Sequence, residues 1–330
     1  MGFLLSKLVK LWYPYWDKRL TVLAYHRIVQ NVSDGSQIAA SATINQFTQQ
    51  LVFVNQHFNP ITVDMLDQWL EGKLQKLPSR PLLVTFDDGY EDAYSNAMPR
   101  LHERKIPAVV FLATGFIESK EIFSWDRVEL GFEQTTMSRA VLPLLGDRQW
   151  QTAKERSAVA KEWVFAAKQL SDELRQQATE QLLNVLGVSE YALSKIEVLN
   201  WQQIREMLNY SISFGGHTCN HPILSKVSLE RVKQEVTESK NKIEQEIAQP
   251  VCTFAYPNGH AEDFNDEVVA ELKNAGYKIA FSLVPGPQSL EAIRTMPLAI
   301  KRINISPKDD LLRFFLKLSG FVQLKRLLLR

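Results

Sequence analysis

Two adjacent carboxylates, Asp87 and Asp88, end an apolar run in VTFDDGY (84–90). Neighbouring carboxylates repel when both are ionised, so the pair needs either a turn that holds them apart or a cation beside them. Taken alone, Asp-Asp-Gly reads as a turn or an Asx cap. A second set of residues changes that reading. SFGGHTCNHP places His217 and His221 four residues apart, just after another apolar run and a Gly-Gly pair. On a helical turn, i and i+4 point the same way, so both imidazoles can grip one ion. Such a pair also occurs on solvated faces. With Asp88, however, it makes a two-histidine, one-carboxylate set that leaves coordination positions open for water and substrate. One aspartate then binds the cation, and the other stays off it and accepts a proton from water. The cation also weakens the repulsion between the two. This donor set suits Zn²⁺, and Co²⁺, Ni²⁺ or Fe²⁺ are accepted by the same ligands. Cys219, at i+2 between the histidines, points away and reads as a small packed residue.

These residues must be delivered by a scaffold. Seven short apolar, β-rich runs can be marked: 20–26, 81–87, 106–114, 211–217, 251–257, 277–283 and 298–305. Most are continuous rather than alternating, which suits strands buried on both faces. Helical patterns lie between them, over 44–56, 96–105, 228–247 and 263–276, with Asn200 as an N-cap for a further one. Strands alternating with helices predict a parallel α/β sheet or barrel. In a parallel barrel, functional groups gather where strands end. The polar residues ending these runs are His26, the aspartate pair, Thr114, His217, Tyr256 and Asn258. Residues 118–200 break the rhythm and read as an insertion, helical over about 138–187, with Trp125, Asp126 and Arg127 at its start either facing the site or, as the preferred reading, in structural roles. His57 and His102 fall on helical segments and read as surface residues.

Composition narrows the classes. The chain has 330 residues, 45% hydrophobic and 23% charged, with a formal net charge of +1. That balance supplies no global field for a nucleic acid. Two cysteines imply no disulfide framework. The first twenty residues are too broken by Lys7, Lys10 and Pro14 to read as a signal peptide or a membrane span, so a cytoplasmic location is expected. The C-terminal stretch LLRFFLKLSGFVQLKRLLLR mixes large apolar residues with cations. It reads either as a helix docked on the domain or as one lying on an anionic membrane at the inner face.

TFDDGY, HTCNHP and FAYPNG, in that order, resemble the first three motifs of the polysaccharide deacetylases, the NodB-like carbohydrate esterases. The resemblance covers roughly residues 20–305, apart from most of 118–195. It implies a distorted (β/α)7 barrel with parallel strands and a helical insertion, and a metal-dependent hydrolase removing N-acetyl groups from an amino-sugar glycan. Carried over by position, Asp87 is the general base, and Asp88, His217 and His221 are the metal ligands. Tyr256, Pro257, Asn258 and Gly259 belong to the loop lining the groove, with the backbone N–H of Asn258 toward the oxyanion. Two departures stand out. The arginine that usually tethers the base in this loop is replaced by Ala255, and Arg302 is either its substitute or a surface salt-bridge residue. There is no histidine after His260, so the late histidine that often serves as general acid is missing. The Ala-Tyr-His-Arg of 24–27 resembles a branch of the family that includes deacetylases of exopolysaccharide poly-N-acetylglucosamine, which makes His26 the candidate acid and His260 a second one.

The expected organisation is an N-terminal amphipathic segment (1–19), the barrel (20–306) with its insertion at about 118–200, and a basic amphipathic helix (307–330). Competing readings are a deformylase or other C–N amide hydrolase acting on a lipid-linked amino sugar or a cyclic amide, and a barrel that binds glycans without cleaving them. A metal-binding scaffold in a glycan-synthesis complex rests only on the ends and the insertion.

Overall fold

The computed structural model describes residues 9–31, 38–189 and 196–321. Seven parallel strands close on themselves: β1 (Arg19–Tyr25), β2 (Pro81–Phe86), β3 (Ala108–Leu112), β4 (Ile212–Gly216), β5 (Thr253–Ala255), β6 (Ile279–Pro285) and β7 (Ile300–Asn304). Each falls within or largely overlaps one of the apolar runs. Closure is made by β1, which pairs with β2 through Thr21↔Leu82 to Tyr25↔Phe86 and with β7 through Leu23↔Ile303. The barrel is distorted. A single register pair, Phe254↔Gly216, joins β5 to β4, and the β6–β7 register shifts between Phe281 and Pro285.

The period-two alternation of each strand divides its residues between two cores. Leu20, Val22, Leu83, Val109, Phe111, Ala255, Ile279, Phe281 and Ile300 fill the barrel interior. Tyr25, Val84, Phe86, Val110, Phe214, Phe254 and Ile303 face the helices outside. Among these helices, α1 (Ile44–His57) starts with a capping box at Thr43 and Gln46. His57, expected at the surface, is buried: its ring lies 4.5 Å from that of Phe53, and its Nδ1 is 3.0 Å from the Tyr13 hydroxyl.

Between β3 and β4 the chain leaves the barrel. It forms α2 (Ser124–Gln134), an antiparallel hairpin of Arg139–Leu142 with Gly146–Gln149, then α3 (Ala153–Ala167) and α4 (Asp172–Val185). The hairpin corrects the expectation of helix from about 138, because Pro143 and Leu144, the latter at φ +69°, turn the chain back on itself. This unit has its own core, built around Phe132, Trp150, Trp163, Leu182 and Leu186. It also carries a cost. Glu129 of α2 is buried with one oxygen unpartnered, and burial lifts its carboxyl from its ordinary value near 4.5 to about 8. The folded state therefore holds a proton that the unfolded chain releases, so stability is highest below the ordinary value and falls as pH rises toward 8. The melting temperature is expected to fall between pH 5 and pH 9, and Glu129→Gln to flatten that fall. Parallel curves for the two proteins would show that Glu129 does not titrate in this range.

Beyond β4, α5 (Leu229–Ile247) packs Val232, Val236 and Ile243 onto the barrel. The last described helix, α6 (Leu311–Leu318), turns Phe314, Phe315 and Leu318 inward. Phe315 meets Trp12 edge-on at 5.6 Å, and the Trp16 indole donates to the Leu318 carbonyl at 2.8 Å. The apolar face of α6 is thus used within the protein, as the docked reading requires. The basic remainder, 322–330, lies outside the described residues. Among the described residues no helix is long and apolar enough to cross a membrane.

Candidate active site

Asp87 follows directly after β2, two residues beyond Thr85 and four beyond Leu83, and continues the strand face that looks into the barrel. It is buried, as is Arg302, which shares the inward face of β7 with Ile300. The two form a bidentate pair: Arg302 Nη1 donates to Asp87 Oδ1 at 2.7 Å and Nη2 to Oδ2 at 2.8 Å. The fork is held in turn, with Nε donating to the Ser282 carbonyl at 3.0 Å and Nη1 to Thr85 Oγ1 at 3.1 Å. Arg302 is therefore not a surface residue. Burial pushes the Asp87 carboxyl up, but the Arg302 guanidinium and neighbouring His217 outweigh it and hold the group below the ordinary carboxylate range. Ala255, where the family motif carries its arginine, belongs to the same interior.

Asp88 follows with φ +71°, the left-handed region. Gly89, at φ +74°, continues the turn, and a Cβ there would meet Leu112 Cδ2 at 2.9 Å. The reversal sends the two carboxylates to different neighbours. Asp88 Oδ1 lies 3.4 Å from His217 Nε2 and 3.3 Å from His221 Nε2, buried and without a hydrogen-bond partner. Suitable ligand atoms of Asp88, His217 and His221 all fall within 4.8 Å of one another. His217 Nδ1 is 2.6 Å from the Ala255 carbonyl, and as the donor there it leaves Nε2 free to face Asp88. An orphaned carboxylate oxygen facing two imidazole nitrogens, with one tautomer fixed from behind, fits a divalent cation. Thr218, His221 and Asn258 also have positive φ, so the strained backbone gathers at this end of the barrel.

The loop from His217 to His221 is anchored by a residue that the sequence pattern did not single out. Glu235 of α5 is buried and accepts the backbone N–H groups of Cys219 at 2.7 Å and Asn220 at 2.9 Å. Its second oxygen takes Asn220 Nδ2 at 2.9 Å and pairs with Arg231 at 2.7 Å. Residues that position metal ligands from behind typically contribute about 10–100-fold to metal affinity. Glu235→Ala is expected to weaken Zn²⁺ binding by that factor in a titration against a competing chelator. Unchanged affinity would limit Glu235 to loop stability.

His26, directly after β1, places Nε2 3.9 Å from Asp87 Oδ2, on the barrel end where it was expected. Of the loop residues, Asn258 and His260 line the cleft. The backbone N–H of Asn258 donates to no protein acceptor among the described residues. Tyr256 corrects an expectation. Strand alternation turns it away from Ala255 into the outer core, where its ring stacks on Phe264 at 4.1 Å and its hydroxyl donates to the Leu298 carbonyl at 2.7 Å. Trp125, for which the structural role is the preferred of two readings, takes the other: it packs edge-on against His221 at 4.7 Å and lines the cleft. Its indole donates to the Tyr90 hydroxyl at 2.7 Å, which donates to Asp126 at 2.9 Å. Only tertiary structure brings these residues together.

The cleft measures about 1020 Å³, is open to solvent, and is lined by Asp87, Asp88, His217 and His221. A profile of the polysaccharide deacetylases matches residues 75–280, more than half of the chain. The chain belongs to the polysaccharide deacetylase family. Among curated proteins it is 26% identical over 109 residues to the putative polysaccharide deacetylase YxkH of Bacillus subtilis. It is 28% identical over 125 residues to the poly-β-1,6-N-acetyl-D-glucosamine N-deacetylase of Staphylococcus aureus. These matches take in 33% and 34% of this chain, and 37% and 42% of the two relatives' own lengths. Among solved structures, the Streptococcus pyogenes deacetylase PplD in complex with acetate superposes with a TM-score of 0.61 at 19% identity. That match covers 91% of this chain and 98% of PplD, and it speaks for the shared barrel alone.

Proposed function

We propose that this polysaccharide-deacetylase family member is a metal-dependent N-deacetylase acting on an N-acetylated amino-sugar glycan, either a polysaccharide or a lipid-linked oligosaccharide. The observation that carries the reading is the division of labour between the aspartates. Asp88 faces two histidines, while Asp87 is held ionised by Arg302 a few ångströms from His26. The N-deacetylase activity named for the S. aureus relative supports the same reading.

Asp88, His217 and His221 would hold the cation, for which Zn²⁺ is proposed from the ligand chemistry. When bound, such an ion polarises an amide carbonyl and brings the pKa of water to about 7. The chain's own groups do the rest. Asp87 takes a proton from the water that attacks the acetamide carbon. Arg302 keeps Asp87 ionised and fixes its two oxygens. Negative charge developing on the carbonyl oxygen meets the backbone N–H of Asn258, a preorganised donor that matters most in the transition state. His26 gives a proton to the amine nitrogen as the C–N bond breaks, releasing acetate and a free amino sugar.

The test is a panel of N-acylated glycans, free and lipid-linked, assayed for acid release with and without chelator. Acetate release that stops with chelator and returns with Zn²⁺ is expected. Preferential release of formate would make the chain a deformylase. Glycan binding without metal-dependent release would leave a binding barrel.

A further inference from the structure

One wall of the cleft has a chemical character that deacetylation does not require. On α3, Lys154 and Lys161 stand seven residues apart, and Lys168 follows after another seven at the helix end. Seven residues are nearly two turns, so these cations share one face, spaced about 10 Å apart along it. All three line the cleft, as do Arg175 of α4 and Lys308 beyond β7. Lys168 reaches closest to the reacting end, where its Nζ donates to Asn258 Oδ1 at 2.6 Å. Burial and, less strongly, the charge of Lys308 hold the Lys161 ammonium below its ordinary value, against the pull of Glu129.

The opposing charge is already engaged. Among the described residues, the only carboxylates lining the cleft are Asp87 and Asp88. The first is neutralised by Arg302, and the second belongs to the metal-ligand triad. Arg175 is paired with Asp172, but in a chain of net charge +1 the four lysines converging on one cleft still make a local positive field. Such a field raises the local concentration of anions. A neutral amino-sugar polymer would bring no countercharge to Lys154, Lys161 and Lys308.

We propose that the substrate is an anionic glycan, with phosphate or carboxylate groups flanking the acetamido sugar, and that Lys154, Lys161 and Lys308 read that charge. This rests on the deacetylase reading for where the acetamide lies. Lys168 marks the reacting end of the row, and Lys161 and Lys154 lie successively farther along the bound chain.

The experiment compares three probes with the full Zn²⁺-loaded chain. They are neutral N-acetylglucosamine oligomers, the same oligomers carrying a phosphodiester, and oligomers alternating with a uronic acid. Acetate release gives kcat/KM at 50 and 300 mM NaCl (about a twofold change in Debye length). Calorimetry on chelator-treated protein gives Kd without turnover. At least one anionic probe is expected to exceed the neutral one by about tenfold or more, mainly through KM, and the excess should shrink at high salt. Which anionic probe leads identifies phosphate or carboxylate as the group read. Lys161→Glu should collapse the anionic-to-neutral ratio by a further tenfold, while Lys161→Arg keeps it. Equal kcat/KM for all three probes would overturn the inference and leave the deacetylase reading intact. If no probe releases acetate, the deacetylase reading falls instead, and the calorimetric ratio decides the inference: equal Kd values overturn it, and tighter anionic binding lost in Lys161→Glu supports it.

Discussion

Asp87→Asn is expected to lower kcat on an N-acetylated oligomer by about 10²–10⁴-fold, the usual worth of a general base, while the protein still binds Zn²⁺. The separation follows from geometry. The amide keeps the size of the carboxylate but cannot take a proton from water. The ligand atoms of Asp88, His217 and His221 sit on the other side of the left-handed turn and are untouched. Measuring turnover and bound zinc on the same preparation checks both halves. A near-wild-type rate would sink the base assignment, and loss of zinc along with activity would mean that the two aspartates are not independent. The wild-type pH profile offers a second handle. Arg302 holds Asp87 below the ordinary carboxylate range, so protonation of Asp87 cannot set an acid limb near neutrality. Any acid limb seen near neutrality is therefore expected to arise from groups other than Asp87, such as His217 and His221, which must be neutral to hold a cation. An acid limb close to 4 would point back to Asp87.

What the sequence reveals about this site depends on how local the cause is. The seven strands are legible because a strand buried on both faces must be a continuous apolar run, and runs such as PLLVTF have no other good use. His217 and His221 are legible because their spacing carries the chemistry, and Asp88 because a left-handed turn before Gly89 leaves a recognisable Asp-Gly pair. Arg302 is legible only halfway. Alternation with Ile300 puts it on an inward face, but only closure of the barrel brings β7 beside β1, and thus within reach of Asp87 at the end of β2. Tyr256 follows the same rule in reverse, since a residue next to inward-facing Ala255 must look out. Trp125, Lys168 and Glu235 leave no local signal, because each acts through a partner distant in sequence: His221, Asn258 and the backbone of 219–220. Within the insertion, the hairpin over 139–149 is hidden because its strands are only four residues each and largely exposed, so no alternation of apolar and polar residues marks them.

Arg302→Met should damage the protein more broadly than Asp87→Asn damages catalysis. The substitution leaves Asp87 buried in an apolar barrel without its cation. Removing one partner of a buried ion pair typically costs about 3–5 kcal/mol, so the melting temperature should drop well below that of wild type. The remaining carboxylate should respond by moving its pKa upward, since burial then acts with one opposing influence fewer. The acid limb of whatever activity survives should shift to higher pH. Asp87→Asn has the mirror problem, because it strands Arg302 among Phe111 and the other interior side chains. The double variant Asp87→Asn, Arg302→Met separates stability from chemistry. With both charges gone, the unpaired-charge penalty disappears and stability should recover most of what either single substitution loses, as when buried pairs are replaced by apolar residues of similar size. Activity should not recover, because no base remains. Thermal melts of the four proteins, with zinc content and acetate release measured alongside, give the coupling directly. If the two single losses simply add in the double variant, the pair is not the buried unit its geometry describes. If activity returns with stability, Asp87 serves only to hold the barrel mouth together.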